Sequence, residues 1–229
     1  MTLRSQSAAA PAPSSPDGVV DRSGGPVRPL VPRWEWRSIA RALPLDRARL
    51  TIAPGAAVTS TETYLLSTLT PHNIKVRNAM LEIKRLQQRA PDGLEQWRPT
   101  ARSAFPLEAA ALRELCDAWG IAPTSVPVAP SLDALLRDSV APHPALRRVD
   151  LVKRRQRLSL GGCGGELVEL EIEGGRWVSV AFEDADAEAV RAAVAAAGLD
   201  VRANLSYPAA LKRILGLPIA VTDESEGVR

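Results

Sequence analysis

The residues of this sequence that could do chemistry are charged side chains that alternate with apolar ones along short segments. Between residues 73 and 86, Lys75, Arg77 and Lys84 alternate with isoleucine, valine and leucine. The same alternation recurs within 149–160, where Lys153 and Arg155 are spaced two apart. Because successive side chains of a strand point to opposite faces, each segment collects its charges on one face. Such a face could hold an anion, with glutamates and water balancing the remaining charge.

Eight alternating segments predict the β-strands that would position these charges. They cover 33–39, 61–67, 73–77, 81–86, 94–99, 149–160, 166–173 and 176–183. Glycines at 161–165 and at 174–175 predict hairpin turns. Helical patterns with serine or proline at the start or glycine at the end cover 106–120, 131–138, 184–200 and 206–216. The order predicts an α+β fold, an antiparallel eight-stranded β-barrel with helices packed outside.

The predicted helices bear on the direction in which the charged faces point. Their apolar sides need a sheet surface to cover, and one face of the strands is apolar: Ile74, Val76, Leu81, Ile83, Val168, Leu170, Ile172, Val178, Val180 and Phe182. If this face packs outward against the helices, the charged face lines a barrel wide enough for one small ligand. The simpler alternative is a sheet whose polar face meets water.

Length and composition narrow the class of protein. The chain has 229 residues, 45% of them hydrophobic, and a net charge of +3, which does not by itself indicate nucleic acid. Two distant cysteines and two histidines weigh against a disulfide framework, a histidine-rich metal site and a Ser-His-Asp triad. The sequence shows neither a secretory-signal pattern nor a membrane-spanning apolar run, which predicts a cytoplasmic protein. Residues 1–30 and 218–229 are predicted to be a disordered tail and a polar tail around one domain, 31–217.

From residue 33 to residue 216, the order of these signals resembles the CYTH domain of the triphosphate tunnel metalloenzyme superfamily. The segment NIKVR resembles the family's L-R-x-R strand, and LEIK resembles the next strand, which ends in lysine. VKRRQR resembles the later basic strand, and SVAFE, followed by a helix, resembles the F-x-E-x-E strand. The resemblance implies an eight-stranded antiparallel tunnel that binds a triphosphate together with Mg²⁺ or Mn²⁺.

The resemblance also implies roles for single residues. Phosphate ligands would be Arg37, Lys75, Arg77, Lys84, Arg98, Lys153, Arg155 and Arg157. Metal ligands would be Glu35, Glu169, Glu171 and Glu183. Glu35 is also the candidate catalytic residue, as metal ligand or base for a water that attacks the terminal phosphorus. Two glutamates of the family pattern are absent, because Arg33 and Ala181 stand in their positions.

Three functions stay open on the sequence. The first is binding and metal-dependent hydrolysis of a triphosphate-containing anion: tripolyphosphate, a nucleoside triphosphate or polyphosphate. The second is a module with the same fold that binds such an anion without cleaving it, since two metal ligands are missing. The third is RNA binding by the run 147–157, which has six basic residues in eleven positions. Its apolar residues and an aromatic share of 4% weigh against the third function.

Overall fold

The computed structural model of the chain describes residues 31–219, so the predictions for 1–30 and 220–229 lie outside the described residues. The strands are β1 (Arg33–Ala40), β2 (Thr51–Ile52), β3 (Val58–Ser67), β4 (Asn73–Arg77), β5 (Met80–Arg89), β6 (Glu95–Ala104), β7 (Leu146–Leu160), β8 (Cys163–Ile172) and β9 (Gly175–Asp184). The helices are α1 (Ala109–Trp119), α2 (Leu132–Leu135), α3 (Ala187–Ala196) and α4 (Tyr207–Ile214), and α2 continues as a π-helical turn over Leu136–Val140. Of these helices none is long and apolar enough to cross a bilayer.

Within residues 31–219, eight strands close into an antiparallel barrel. Their order is β7-β3-β4-β5-β6-β1-β9-β8, and β8 pairs back with β7 to complete the circle. The two-residue strand β2 adds to the far end of β7 as a ninth strand. The predicted α+β fold with an eight-stranded antiparallel barrel is therefore confirmed.

Glycine is needed at two places, in the turn before β8 and within β8 itself. Gly161 and Gly162 form the predicted turn after β7, and both adopt the left-handed backbone conformation, with φ of 59° and 87°. Gly165 faces the backbone of β9 so closely that an added Cβ would overlap the carbonyl oxygen of Ala181 and lie 2.7 Å from Leu158 Cδ1. The absence of a side chain at Gly165 is thus what allows β8 and β9 to pair at this distance.

Two sets of helices cover the outside of the barrel, as predicted. Leu81 and Ile83 of β5 are buried against Leu115 and Trp119 of α1. The indole of Trp119 also donates a hydrogen bond of 3.1 Å to the carbonyl oxygen of Leu65 in β3. This combination of apolar burial and a satisfied indole fixes α1 on the β4–β5 wall.

The helix α3 covers the opposite wall. Its Val190 and Val194 pack against Val180 and Phe182 of β9. The side chain of Asp186 caps the helix by accepting a hydrogen bond of 3.0 Å from the backbone N–H of Glu188. The outward-facing apolar residues of β9 are thus removed from water, and the opposite face of that strand is left for the interior.

The helix α4 packs into one end of the barrel instead of against its outside. Tyr207 and Leu211 are buried against inward-facing side chains of four strands: Ile39, Tyr64, Leu66, Val149, Leu151, Val168, Leu170 and Ile172. The expected outward direction of Val168, Leu170 and Ile172 is therefore wrong. These residues face inward because α4 makes this end of the interior apolar.

Candidate anion site in the barrel interior

Beyond the apolar end, the interior of the described barrel carries six basic and five acidic side chains that are joined by ion pairs. We call them the interior charge layer: Arg37, Lys75, Arg77, Lys84, Lys153 and Arg155 with Glu35, Glu62, Glu82, Glu166 and Glu183. The basic members come from β1, β4, β5 and β7, and the alternation of each strand aims them inward. The predicted charged interior is therefore present, but it balances most of its own charge.

Glu62 of β3 is the most highly connected member of the layer. Its Oε2 accepts hydrogen bonds from Lys153 Nζ at 2.8 Å and from Lys75 Nζ at 3.1 Å. Its Oε1 accepts one from Arg155 Nη2 at 3.0 Å and lies 3.5 Å from Arg77 Nη1. The side chain is 0% exposed. Burial alone would raise the pKa of Glu62, but Lys153 and Lys75 lower it far below its ordinary value.

Lys153 connects the charge layer to the apolar end. Besides Glu62, its Nζ donates a hydrogen bond of 2.8 Å to the hydroxyl of Tyr64 and lies 3.7 Å from the ring centroid of Tyr207. With 1% of its side chain exposed, burial lowers the pKa of Lys153 to about 7, although the carboxylate of Glu62 acts in the opposite direction. The lysine therefore depends on Glu62 to carry its charge.

Glu166 of β8 joins two arginines. Its Oε1 lies 3.0 Å from Arg37 Nη1, and its Oε2 lies 3.0 Å from Arg155 Nε. Burial would raise the pKa of Glu166, but the two guanidinium groups outweigh it and hold this pKa at about 2. Arg37 is further fixed by a hydrogen bond of 3.0 Å to Ser179 Oγ and by the ring of Tyr207, 4.2 Å away.

A second group of charges lies where β1 pairs with β9. Glu35 and Glu183 are directly opposite each other in the register of the two strands. Glu35 accepts a hydrogen bond of 2.9 Å from Arg37 Nε, and Glu183 accepts one of 3.4 Å from Lys84 Nζ. Burial would raise the pKa of Glu35, but Arg37 and Lys84 bring it below its ordinary value. Glu35 is therefore deprotonated at neutral pH.

Glu82 of β5 completes the charge layer beside β4. Its Oε1 accepts a hydrogen bond of 3.0 Å from Arg77 Nη2, and its Oε2 lies 3.6 Å from Lys75 Nζ. Arg77 and Lys75 are thus shared between Glu62 and Glu82. These two basic groups are partly exposed, whereas the side chain of Glu62 is fully buried.

Several buried polar atoms have no hydrogen-bond partner among the described residues, and two of them lie on the walls formed by β4 and β6. These two are Asn73 Oδ1 on β4 and Trp97 Nε1 on β6. Asn73 lies opposite Lys84 in the β4–β5 register, and Trp97 lies opposite Arg33 in the β1–β6 register. Buried polar atoms usually find a partner, so these walls offer an acceptor and a donor that a polar ligand or water could satisfy.

The structure brings together most of the sequence-predicted site residues. Those that belong to the interior charge layer are Glu35, Arg37, Lys75, Arg77, Lys84, Lys153, Arg155 and Glu183. Arg157 continues the inward face of β7 but is exposed at the open end. Arg98 is exposed and lies opposite Arg85, whose guanidinium binds Glu114 of α1 outside the barrel.

Glu169 and Glu171 lie on the outer face of β8, contrary to their predicted place in the metal site. Both are exposed, and Glu169 pairs with Arg154 at 3.2 Å. The inward residues of β8 have even numbers, so Glu166, and neither Glu169 nor Glu171, faces the interior.

The interior carboxylates offer a metal ion few ligands. Among residues 31–219, no three carboxylate, histidine or cysteine side chains come together as metal ligands. Arg33, at one of the substituted positions, itself lies 3.4 Å from Glu183, and Ala181 lies opposite Arg37. The pair Glu35 and Glu183 fits one Mg²⁺ ion that is also bound by the ligand. Mg²⁺ is commonly held by one or two carboxylates together with substrate phosphates.

Comparison with known proteins gives structural matches alone. No protein-family model matches the chain, and no curated protein matches it. A proposed adenylate cyclase from Bacillus halodurans is 14% identical, covers 78% of this chain and 96% of its own, and has a TM-score of 0.39. A proposed adenylyl cyclase from Hippeastrum, described as having a dominant triphosphatase activity, is 13% identical, covers 70% and 83%, and has a TM-score of 0.40.

A third solved structure, of a protein from Pyrococcus horikoshii, is 13% identical, covers 80% of this chain and 99% of its own, and has a TM-score of 0.35. At these identities and scores the matches carry no argument about activity or ligand. The fold rests on the strand pairing of the chain itself. This pairing gives the chain the eight-stranded antiparallel barrel that its resemblance to the CYTH domain implied.

Proposed function

We propose that the barrel interior binds a linear polyphosphate anion, either inorganic tripolyphosphate or the triphosphate group of a nucleotide. The observation that carries the proposal is the convergence of six basic side chains from four strands on one closed interior. Guanidinium groups match phosphate oxygens in paired hydrogen bonds, and ammonium groups add compact positive charge. An eight-stranded barrel has room for one small ligand, which suits a short chain of phosphates.

The distribution of the basic run 147–157 favours this ligand over RNA. Lys153 and Arg155 belong to the interior charge layer, whereas Arg148 and Arg154 are exposed and pair with Asp150 and Glu169. The run is therefore divided between two faces of β7. A nucleic-acid site needs a continuous basic surface, and alternation along a strand does not supply one here.

Hydrolysis of the bound anion is the second candidate function, favoured by the opposed pair Glu35 and Glu183. When bound with the phosphates, a divalent cation supplies charge neutralisation at the terminal phosphate. Glu35 and Glu183 would hold it, and Glu35 is already deprotonated because of Arg37 and Lys84. Arg37 and Lys84 would orient the terminal phosphate beside these carboxylates. Without metal, the same residues act as a receptor for the anion.

Calorimetric titration of the chain with tripolyphosphate, in EDTA and then in Mg²⁺, tests the binding. We expect Lys75→Ala to weaken binding about 10- to 100-fold, since a hydrogen bond to a charged group is lost. Arg154→Ala, a charge removal on the outer face, is the matched control and should leave the affinity unchanged. Absence of binding under both conditions, or equal effects of the two substitutions, would contradict the proposal.

Phosphate release from tripolyphosphate and from ATP, measured with Mg²⁺, Mn²⁺ and EDTA, separates the two candidates. Metal-dependent release that is lost in Glu35→Gln, while this variant still binds tripolyphosphate, identifies a hydrolase. Binding without release under every condition identifies a receptor, and the hydrolysis candidate is then wrong.

A further inference from the structure

Glu62 occupies the point on which the basic side chains of the interior converge. Four of the six basic members of the charge layer contact its two oxygens, namely Lys75, Arg77, Lys153 and Arg155. The distances run from 2.8 to 3.5 Å, which is the range in which these groups would contact phosphate oxygens. A ligand phosphate and the carboxylate of Glu62 therefore require the same donors.

The charge of the layer leads to the same conclusion. Its six basic groups face five carboxylates, so the layer itself carries a net charge of only +1, with Arg33 and Arg157 adding positive charge toward the open end. A tripolyphosphate carries several negative charges and gains little from so balanced an environment. The electrostatic gain on binding is larger when basic groups give up their ion pair with an internal carboxylate and pair with the ligand instead.

We infer that Glu62 is an internal competitor of the anionic ligand and sets how much negative charge a ligand needs in order to bind. The inference rests on the proposed function, since it names a residue that determines specificity in the same site. An anion of high charge takes Lys75, Arg77 and Arg155 from Glu62, because these side chains are 16%, 27% and 22% exposed and so are open to a ligand, unlike the buried Lys153. Orthophosphate offers too little charge to displace the carboxylate.

A merely structural role of Glu62 leads to the opposite expectation. If the carboxylate served only to hold the four basic side chains in place, its removal would let them separate and would weaken anion binding. Competition predicts that its removal strengthens binding. The direction of the change in affinity therefore decides between the two roles.

The test compares the full chain with Glu62→Gln, titrated calorimetrically with tripolyphosphate, pyrophosphate and orthophosphate. We expect Glu62→Gln to bind tripolyphosphate at least about tenfold more tightly, and to lose part of the discrimination against pyrophosphate. Glu169→Gln removes the same charge from the outer face of β8 and is the matched control, which should behave as the unsubstituted chain.

Each outcome has a defined meaning. If the unsubstituted chain binds tripolyphosphate and Glu62→Gln binds it equally or less tightly, the inference is overturned and the proposed function stands. If only Glu62→Gln binds, the inference is supported, and the proposed function fails for the chain as it exists. If neither protein binds, both fail.

If Glu62→Gln is unstable or does not fold, a second measurement and a second variant still test the inference. Thermal unfolding with and without tripolyphosphate should show a larger stabilisation of Glu62→Gln than of the unsubstituted chain. If Glu62→Gln does not fold in either buffer, Glu62→Asp keeps the charge but shortens the side chain by one methylene group and withdraws it from the donors. Glu62→Asp should then bind tripolyphosphate more tightly than the unsubstituted chain, and equal or weaker binding overturns the inference.

Discussion

The contacts of Glu62 and Lys153 predict that the two partners of one buried ion pair contribute unequally to the free energy of unfolding. Glu62→Gln removes the carboxylate that four basic side chains share. Lys153→Met removes one of those four bases and leaves Glu62 with Lys75 and Arg155 at 3.1 and 3.0 Å. Methionine also fills the volume of the lysine stem, so the packing against Tyr207 is largely kept.

The expected magnitudes follow from what each substitution leaves behind. Removal of one partner of a buried ion pair costs about 3–5 kcal/mol. In Glu62→Gln four basic side chains lose a partner, and Lys153 must either carry its charge without a carboxylate or lose its proton. In Lys153→Met the remaining charge is still paired, and the desolvation penalty of the lysine disappears. We therefore expect about 0–2 kcal/mol for this substitution. For a domain of this size, a difference of about 3 kcal/mol corresponds to roughly 6–12 °C in Tm.

Urea unfolding at pH 7, followed by tryptophan fluorescence in the absence of polyphosphate, measures both values. Arg154→Met and Glu169→Gln form the control pair, because Arg154 and Glu169 make a cross-strand ion pair on the exposed outer face. Each control should change the free energy of unfolding by less than about 1 kcal/mol. A cost of Lys153→Met equal to or above that of Glu62→Gln would refute the reasoning that Glu62 is the shared centre of the layer.

Three further predictions concern stability. Gly165→Ala should lower the free energy of unfolding by about 1–3 kcal/mol through the overlap with β9, whereas Gly164→Ala, with 3.8 Å of clearance, should cost less than this; equal urea midpoints would contradict it. Leu211→Ala should cost about 2–5 kcal/mol by leaving a cavity at the closed end of the barrel, and an unchanged Tm would show that α4 does not pack there. The pKa of Glu166 is held at about 2, against an ordinary value of 4.5, so its contribution to the free energy of unfolding should be complete above about pH 5 and disappear as the pH falls toward 2. An acid unfolding curve of Glu166→Gln that is as steep as that of the unsubstituted chain would contradict this.

Much of the barrel could be predicted from periodicity alone. Each of the eight predicted strands corresponds to a strand of the barrel, because polar and apolar residues alternate along segments such as 73–77 and 81–86. The turns at 161–162 and 174 follow from glycines that adopt positive φ. These are local properties, which neighbouring residues in the sequence decide.

The phase of β8 could not be predicted in the same way. Its apolar residues Val168, Leu170 and Ile172 suggest an outward face toward a helix, yet they face inward. The reason is the position of α4, whose apolar side chains enter the end of the barrel. A strand pattern shows which residues share a face, but the partner that covers this face is a long-range property.

Glu62 and Glu166 were missed for a related reason. The sequence offers Glu62 as one polar residue at the start of TETYLLS, and Glu166 stands alone after the four glycines among 161–165. Their importance comes from the basic groups that β4 and β7 bring to them. The alternation of the segment does place Glu62 on the same face as Tyr64 and Leu66. Nothing in that segment, however, indicates that four basic side chains pair with Glu62.

Within residues 31–219, α4 and its apolar partners fill one end of the barrel, so that for the described residues the interior is a cup with one open end. A linear polymer cannot thread through such a cup, and the charge layer can grip it only by a terminus. If the interior cleaves a chain of phosphates, it works from the end of the chain. The released fragment then occupies the route by which the next substrate enters. The product must therefore leave before the next substrate can bind.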